Sequence, residues 1–224
     1  MDALRGGLIV SVQAKAPSLL ADPHVLAAIA AEAERAGAAG LRMQGVENIA
    51  AARERTRVPM IGLIKRDYAG YEPYITPTLA EVEALLAAGV EIVAFDATAR
   101  PRPGGTTVEH IVAAIRAGGA IAMADCSVAE DAERAVAAGA AIAGSTLAGY
   151  TKETTGVVLP ALDLVRAIVE TGAFAIAEGG IRTPEQADAA SEAGADAVVV
   201  GTAITDVGWL VGEFADAVAK RAPR

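Results

Sequence analysis

The sequence is poor in the residues that build disulfide frameworks and metal sites. It contains one cysteine, Cys126, so no disulfide can form within the chain and nothing indicates an oxidising compartment. Cys126 follows an apolar run, and we interpret it as a small buried hydrophobic residue, not a nucleophile. The two histidines, His24 and His110, lie near predicted helix starts and have no metal-ligand spacing. We therefore expect no metal site.

Positive charge and long apolar runs are also scarce. The formal net charge is -9, which argues against a nucleic-acid or anionic-membrane partner. The apolar stretch at residues 8–12 is too short for a signal peptide or a membrane span, and no other run approaches spanning length. We therefore expect a cytoplasmic protein that acts on a small molecule.

What the sequence does contain is a regular alternation of short apolar runs and alanine-rich helical runs. We predict strands at residues 8–14, 40–45, 60–65, 91–98, 120–126, 140–147, 174–177 and 196–201. We predict helices at residues 22–36, 46–55, 79–88, 108–117, 128–138, 160–171, 183–193 and 207–221. Eight such units without a linker predict an α/β fold, a single-domain (β/α)8 TIM barrel over residues 1–224. An open doubly wound sheet is the rival, but no GxGxxG motif follows the first strand.

Polar residues at the predicted strand ends mark a candidate active site. In this fold the catalytic groups lie at the C-terminal ends of the strands and in the loops that follow. The residues at these positions are Gln13, Arg42, Lys65, Asp96, Asp125, Ser145, Thr146, Glu178, Gly201 and Thr202. They stand out because the strand interiors are almost entirely apolar.

Lys65 and Glu178 are the candidate acid–base pair. Lys65 is one of only four lysines and ends the run MIGLI, where burial would lower its pKa and suit it to proton transfer. It could instead extend from the strand end to solvent. Glu178 ends a strand that we expect to be buried on both faces, where an unpaired carboxylate is costly. Its alternative role is a structural ion pair with Lys65, which would still tune both groups.

Three further polar residues could bind a substrate. The Arg42 guanidinium should point into the barrel and suits a carboxylate, a phosphate, or pairing with Glu178 or Asp125. Asp125 could instead cap the following helix, although Ser127 is the better cap candidate. Gln13 could bind a hydroxyl or an amide, or simply fill the barrel mouth.

Glycines after the last two strands indicate an anion site. Glycine lets a ligand approach the backbone closely, and barrels commonly bind phosphate after strands seven and eight. The residues concerned are Gly179, Gly180, Arg182, Gly201 and Thr202. This pattern predicts a phosphorylated substrate and nothing finer.

Several longer motifs carry a family resemblance over nearly the whole chain. They are GGLIVSVQA at 6–14, GLRMQGVENI at 40–49, PMIGLIKRDY at 59–68, ITPTLAEVEALLAAG at 75–89, AFDAT at 94–98, MADCS at 123–127, STLAGYT at 145–151, AEGGIRTPEQ at 177–186 and GADAVVVGTAIT at 194–205. Together they resemble the N-acetylmannosamine-6-phosphate 2-epimerase family of sialic-acid breakdown. GLIKRDY with ITPT is the most specific pair, since the last two motifs alone fit many phosphate-binding barrels.

The resemblance implies interconversion of N-acetylmannosamine 6-phosphate and N-acetylglucosamine 6-phosphate by inversion at C2. One proton leaves and returns beside the C1 carbonyl of the open-chain sugar, so the resemblance implies no cofactor and no metal. Lys65 and Glu178 match the acid–base pair. The residues that match the sugar-binding positions are Gln13, Arg42 and Asp125, and those that match the phosphate loops are Gly179, Gly180, Arg182, Gly201 and Thr202.

Two departures and two alternatives accompany this resemblance. The first strand of the family typically has a cysteine where this chain has Val12, a change that matters little if the side chain only packs. Family members often carry a basic residue after GTAIT, whereas this chain has Asp206, so the phosphate charge would fall to Arg182 and to backbone N–H groups. The alternatives are a Schiff-base lyase or synthase with Lys65 as the amine nucleophile, and a non-catalytic sugar-phosphate binding module. Barrels of this size often form dimers, so we also consider a homodimer. Trp209 is then an interface anchor, or equally a core residue of the last helix.

Overall fold

Eight parallel strands pair in sequence order, and the last returns to the first to close a barrel. The computed structural model describes residues 1–14 and 17–219. The strands are β1 (Gly7–Val12), β2 (Gly40–Gln44), β3 (Met60–Leu63), β4 (Ile92–Asp96), β5 (Ile121–Asp125), β6 (Ile142–Gly144), β7 (Phe174–Glu178) and β8 (Ala197–Val200). This architecture confirms the predicted (β/α)8 TIM barrel.

A helix follows each strand on the outside of the barrel. The helices are α1 (Pro23–Arg35), α2 (Val46–Arg53), α3 (Leu79–Ala87), α4 (Val108–Ala117), α5 (Ala129–Ala137), α6 (Leu162–Glu170), α7 (Pro184–Glu192), α8 (Thr202–Thr205) and α9 (Val207–Ala219). The short α8 was not predicted, and the predicted end of the last helix at residue 221 lies outside the described residues. Among the described residues, no helix combines the length and apolar character needed to cross a bilayer.

Seven of the eight strands end earlier than predicted, and two of these ends, those of β3 and β6, contribute to the rim of the barrel. β3 stops at Leu63, and Lys65 instead pairs with Ile75 in an isolated antiparallel bridge. β6 ends at Gly144, after which the Ser145 hydroxyl accepts a hydrogen bond from the Glu178 backbone N–H at 3.1 Å. The backbone therefore leaves the sheet at these points and forms loops that carry polar groups.

The apolar side chains form layers on the two faces of the sheet. Inside the barrel, Ile9, Ile61, Met123, Ile176 and Val199 pack together, and all are almost fully buried. Outside, strand residues such as Val10 and Phe95 pack with residues of the surrounding helices. Because the interior is filled by side chains, ligands can enter only at its ends.

The cap of α5 differs from the prediction. The Asp131 carboxylate accepts hydrogen bonds from the backbone N–H groups of Ser127 and Val128, at 3.0 and 3.2 Å. The prediction that Ser127 caps this helix is therefore wrong, because a carboxylate inside the first turn takes that role. The Ser127 hydroxyl lies instead 2.7 Å from that of Thr151.

Candidate active site

A cavity of about 290 Å³ opens at the C-terminal ends of the strands. Ten residues match the acid–base, sugar-binding and phosphate positions of the family, and nine of them line the cavity: Gln13, Arg42, Lys65, Glu178, Gly179, Gly180, Arg182, Gly201 and Thr202. The tenth, Asp125, is fully buried and reaches the cavity only through its neighbours. The barrel thus brings together residues that are up to 189 positions apart in the sequence (from Gln13 to Thr202).

A buried arginine organises the floor of this cavity. The Arg42 guanidinium donates two hydrogen bonds to the Asp125 carboxylate, at 3.1 and 2.7 Å, and lies 3.2 Å from the Glu178 carboxylate. The Arg42 and Asp125 side chains are 1 % and 0 % exposed, while that of Glu178 is 14 % exposed. Of the two pairings considered for Arg42, the structure contains both. Asp125 does not cap α5.

Burial raises the pKa of Glu178 to about 7. The positive charge of Arg42 opposes this shift, whereas the negative charge of Asp125 adds to it. The same two carboxylates raise the pKa of Arg42, although burial alone would lower it. The floor therefore holds a permanent ion pair beside a carboxyl group that exchanges a proton near neutral pH.

Thr146 connects the two carboxyl groups. Its hydroxyl lies 2.7 Å from the Asp125 carboxylate and 3.2 Å from that of Glu178. A hydroxyl has one proton to donate, so Thr146 donates to one of the two carboxylates at a time. Its hydrogen bond to the Glu178 carboxylate opposes the rise in the pKa of that group.

Lys65 lies at the mouth of the cavity and is exposed, unlike the buried lysine that its sequence position suggested. Its positive charge nevertheless acts to lower the pKa of Glu178. In the barrel, β3 and β7 are four strands apart out of eight, so they stand on opposite sides. Lys65 and Glu178 therefore face the cavity from opposite directions.

Asp96 ends β4 and Cys126 directly follows β5, but neither residue lines the cavity. The Asp96 carboxylate accepts hydrogen bonds from Thr98 and Arg100, at 2.6 and 2.7 Å, and pairs with Arg102. Cys126 is fully buried, and burial raises the pKa of its thiol well above the ordinary value. Both residues support the barrel, and the interpretation of Cys126 as a buried hydrophobic residue is confirmed.

Two tyrosines on loops complete the cavity wall and were not predicted as site residues. Tyr74 lies in the loop between β3 and α3, and Tyr150 in the loop between β6 and α6. Burial raises the pKa of Tyr74, and the Asp125 charge adds to the shift. The signal available in the sequence was the clustering of three tyrosines at residues 68–74. It indicated a functional loop but could not say which ring turns inward.

The loop after β7 contributes the backbone of Gly179 and Gly180 and the side chain of Arg182 to the cavity wall. Gly179 and Gly180 have φ values of 109° and 69°, which other residues rarely adopt. A Cβ at Gly180 would also overlap the Leu159 side chain. Arg182 is exposed, and its guanidinium carbon lies 5.4 Å from the centre of the Trp209 ring.

Asp206, the residue that departs from the family pattern, lines the cavity and caps α9. Its carboxylate accepts a hydrogen bond from the Trp209 backbone N–H at 2.9 Å. Negative charge is favourable at a helix N-terminus, so part of its charge is offset there.

Elsewhere in the described residues, no group of histidine, cysteine or carboxylate side chains is arranged to hold a metal ion. His24 and His110 are exposed, as predicted.

Known proteins resemble this chain over nearly its whole length. A family model described as "Putative N-acetylmannosamine-6-phosphate epimerase" matches residues 26–220. The chain belongs to this family. The resemblance predicted from the motifs is thereby confirmed.

Individual members of the epimerase family match almost all of the chain. An enzyme of Salmonella arizonae named "Putative N-acetylmannosamine-6-phosphate 2-epimerase" is 44 % identical over 98 % of this chain and 95 % of its own. A "Bifunctional enzyme NanE/NanK" of Brucella melitensis biotype 1 is 47 % identical over 97 % of this chain. The chain spans 42 % of that bifunctional relative. A solved structure, the N-acetylmannosamine-6-phosphate 2-epimerase from Clostridium perfringens, superposes with a TM-score of 0.94 at 40 % identity, covering 96 % of this chain and 95 % of its own.

Proposed function

We propose that this chain is an isomerase that interconverts N-acetylmannosamine 6-phosphate and N-acetylglucosamine 6-phosphate by proton removal and return at C2. The observation that carries the proposal is the placement of Lys65 and Glu178 on opposite sides of one cavity. Inversion requires the proton to leave one face of C2 and to return to the other. Two proton-transfer groups facing each other across the substrate meet that requirement.

The chemistry needs only groups that the cavity contains. In the open-chain sugar the C1 carbonyl acidifies the C2 proton, and its removal leaves an enolate whose negative charge lies on the C1 oxygen. Return of a proton to the opposite face completes the inversion, with no net change in oxidation state. A carboxyl group with a pKa of about 7 is suited to take or give the proton on its own face of C2, because efficient general acids and bases have pKa values near the working pH.

The remaining cavity residues form two groups, one for the sugar and one for the phosphate. Arg42 lies beside Glu178, and Gln13 lines the same cavity, so both are placed to bind the hydroxyl, carbonyl and N-acetyl groups. Asp125 acts through Arg42 and Thr146, which it holds by hydrogen bonds. The phosphate lies at the glycine-rich end, which contains Gly179, Gly180, Arg182, Gly201 and Thr202.

Proton NMR of N-acetylmannosamine 6-phosphate with the enzyme in D2O tests this proposal. We expect conversion to the gluco epimer with deuterium at C2. Absence of both exchange and product would overturn the substrate assignment. Borohydride trapping of a substrate adduct on Lys65 would instead support the Schiff-base chemistry, and substrate binding without turnover would support a binding module.

We also propose that the protein is a homodimer joined through α9. The outward side of this helix carries an apolar face at helical spacing: Leu210, Val211, Phe214, Ala215, Val218 and Ala219. Within the described part of the chain no residue of α9 is buried, and Phe214 is 72 % exposed. A solitary apolar face of this kind is typical of an interface.

A groove of about 580 Å³ on the same molecule is lined mostly by apolar surface, which suits it to receive the apolar face of α9. It lies outside β8 and β1, beside α7, and includes Leu8, Val198, Ala187 and Ile204. No described residue of α9 lines this groove, so the helix leaves it open within its own chain. A second copy can place its α9 there, and a twofold axis makes the exchange reciprocal.

Sedimentation velocity tests the dimer. We expect the wild-type protein to sediment as a dimer and Phe214→Asp as a folded monomer. Glu213→Ala, a change on the same helix outside the apolar face, should leave the dimer intact. A monomeric wild-type protein at micromolar concentration would overturn the proposal.

The cytoplasmic location predicted from the sequence remains part of this proposal. It is supported by the charge of the proposed substrate, since an ionised phosphate does not enter the apolar interior of a membrane unaided.

A further inference from the structure

We propose that Trp209 is a positioning residue that holds the Arg182 guanidinium at the phosphate end of the cavity. The inference rests on the proposed function for the identity of the ligand, but the contact between the two side chains is a feature of the structure itself. It assigns a role to the first turn of α9, which no motif of the sequence marks as part of the site.

Arg182 differs from the other cavity arginine in having no carboxylate partner among the described residues. None of the ion pairs in the described ranges involves it, although it lines the cavity. Its side chain is exposed, and its contact is with the face of the Trp209 ring. A guanidinium held over a ring by a cation–π contact uses none of its N–H groups as hydrogen-bond donors in that contact, so they remain available to an anion.

Both partners of this contact are anchored at the backbone. The Arg182 N–H donates to the Gln186 side-chain oxygen at 2.7 Å. The Trp209 N–H donates to the Asp206 carboxylate at 2.9 Å, and the Leu210 N–H donates to the Asp206 carbonyl at 3.0 Å. The ring is therefore presented to Arg182 by a defined helix start, and the stacking limits the orientations of an otherwise exposed side chain.

This arrangement also explains how Asp206 can lie beside a phosphate site. Its carboxylate is used as the cap that places Trp209, where the helix N-terminus offsets its charge. The cation for the phosphate is then supplied by Arg182 from the neighbouring loop. The acidic residue at position 206 and the Trp209–Arg182 contact are therefore linked, because Asp206 orients Trp209 and Trp209 orients the cation for the phosphate.

Tryptophan fluorescence gives a readout that needs no turnover, because Trp209 is the only tryptophan in the chain. We expect inorganic phosphate, and N-acetylmannosamine 6-phosphate at lower concentration, to change the emission of the wild-type protein in a saturable way. The Arg182→Ala variant should lose this response. A response that persists unchanged in Arg182→Ala, or its absence in a wild-type protein that binds phosphate by calorimetry, would overturn the proposal.

Kinetics separates positioning from a general effect on α9. Trp209→Ala should raise KM about 3- to 30-fold with little change in kcat, the range that a cation–π contact can supply. Trp209→Phe should restore most of the affinity, and Glu213→Ala on the same helix should match the wild type. In an Arg182→Ala background, Trp209→Ala should have no further effect on KM. An equal rise in that background, or a Phe variant as poor as Ala, would show that Trp209 does not act through Arg182.

The two proposals fail in different ways. If the phosphate-dependent fluorescence change is present but no epimerisation occurs, the proposed function falls and the role of Trp209 stands. If epimerisation occurs and Trp209→Ala leaves KM unchanged, the role of Trp209 falls and the proposed function stands.

Discussion

Arg42 and Arg182 line the same cavity but are held in opposite ways. Arg42 is buried on the barrel floor and pairs with two carboxylates, whereas Arg182 is exposed on a loop and stacks on an aromatic ring. The first arrangement is rigid because every departure from it leaves a buried charge uncompensated. The second tolerates change, since solvent can replace the partner of an exposed cation.

The difference indicates how the work of the site is divided. The floor surrounds the group that moves a proton, where a change of one charge shifts the pKa of its neighbour. The rim binds the charged end of the ligand, where the strength of binding matters more than the exact electrostatic field. We expect substitutions on the floor to affect folding and kcat, and those on the rim to affect KM.

The largest effect should follow from removing the floor cation. Arg42→Ala leaves Asp125 buried without its partner, and we expect a loss of about 3 to 5 kcal/mol in the free energy of unfolding. Urea denaturation measures this loss. Arg42→Lys should restore only part of it, because an ammonium cannot reproduce the paired hydrogen bonds. A change below about 1 kcal/mol for Arg42→Ala would show that solvent reaches the floor.

Changes to the proton-transfer groups should abolish turnover while the protein stays folded. Glu178→Gln and Lys65→Ala should each lower kcat on the order of 100- to 10,000-fold, the typical contribution of a general acid or base. Circular dichroism and the unfolding midpoint serve as controls for folding. Either variant with a near-normal rate would remove that residue from the catalytic pair.

The raised pKa of Glu178 predicts how stability changes with pH. Between about pH 4.5 and 7 the folded protein holds a proton that the unfolded chain has released, so this group makes stability fall as pH rises. The wild type should lose on the order of 3 kcal/mol relative to Glu178→Gln across this window, and no more above it. Parallel stability curves for the two proteins would contradict the shift.

The smallest effect on folding should come from the rim cation. Arg182→Ala should raise KM about 10- to 100-fold, as expected for a charged hydrogen-bonding group, with a smaller effect on kcat. Its free energy of unfolding should stay within about 0.5 kcal/mol of the wild type. An unchanged KM would remove Arg182 from the phosphate end and would weaken the contrast with Arg42.

Strand ends could be predicted well because their signal is local. Each apolar run that stops at a polar residue marks a place where the chain leaves the sheet, and the barrel brings such places to one end. That logic located Lys65 and Glu178. It failed for Asp96, which occupies an equivalent strand end but is held by Arg100 and Arg102 away from the cavity. The position of a carboxylate at a strand end does not determine which side chain it pairs with in the folded protein.

Exposure and pairing were the properties that local patterns could not supply. For Lys65, which follows an apolar run, the sequence left burial and extension to solvent both open, and the loop that pairs with it at Ile75 leaves its side chain exposed at the mouth. Tyr74 and Tyr150 come from loops without regular periodicity, so their inward orientation depends on how those loops cross the rim. Such positions follow from contacts between distant segments, which carry no periodic signal.

The sequence alone was sufficient for the barrel, for its strand ends to within three residues, and for the family, because alternation and motifs are encoded within short windows of residues. Only the tertiary structure decided that Arg42 pairs with both Asp125 and Glu178, and that Trp209 meets Arg182. These contacts depend on closure of the sheet and on the direction of α9. Both are settled by packing among many residues at once, so the electrostatics of the site emerge only in the folded molecule.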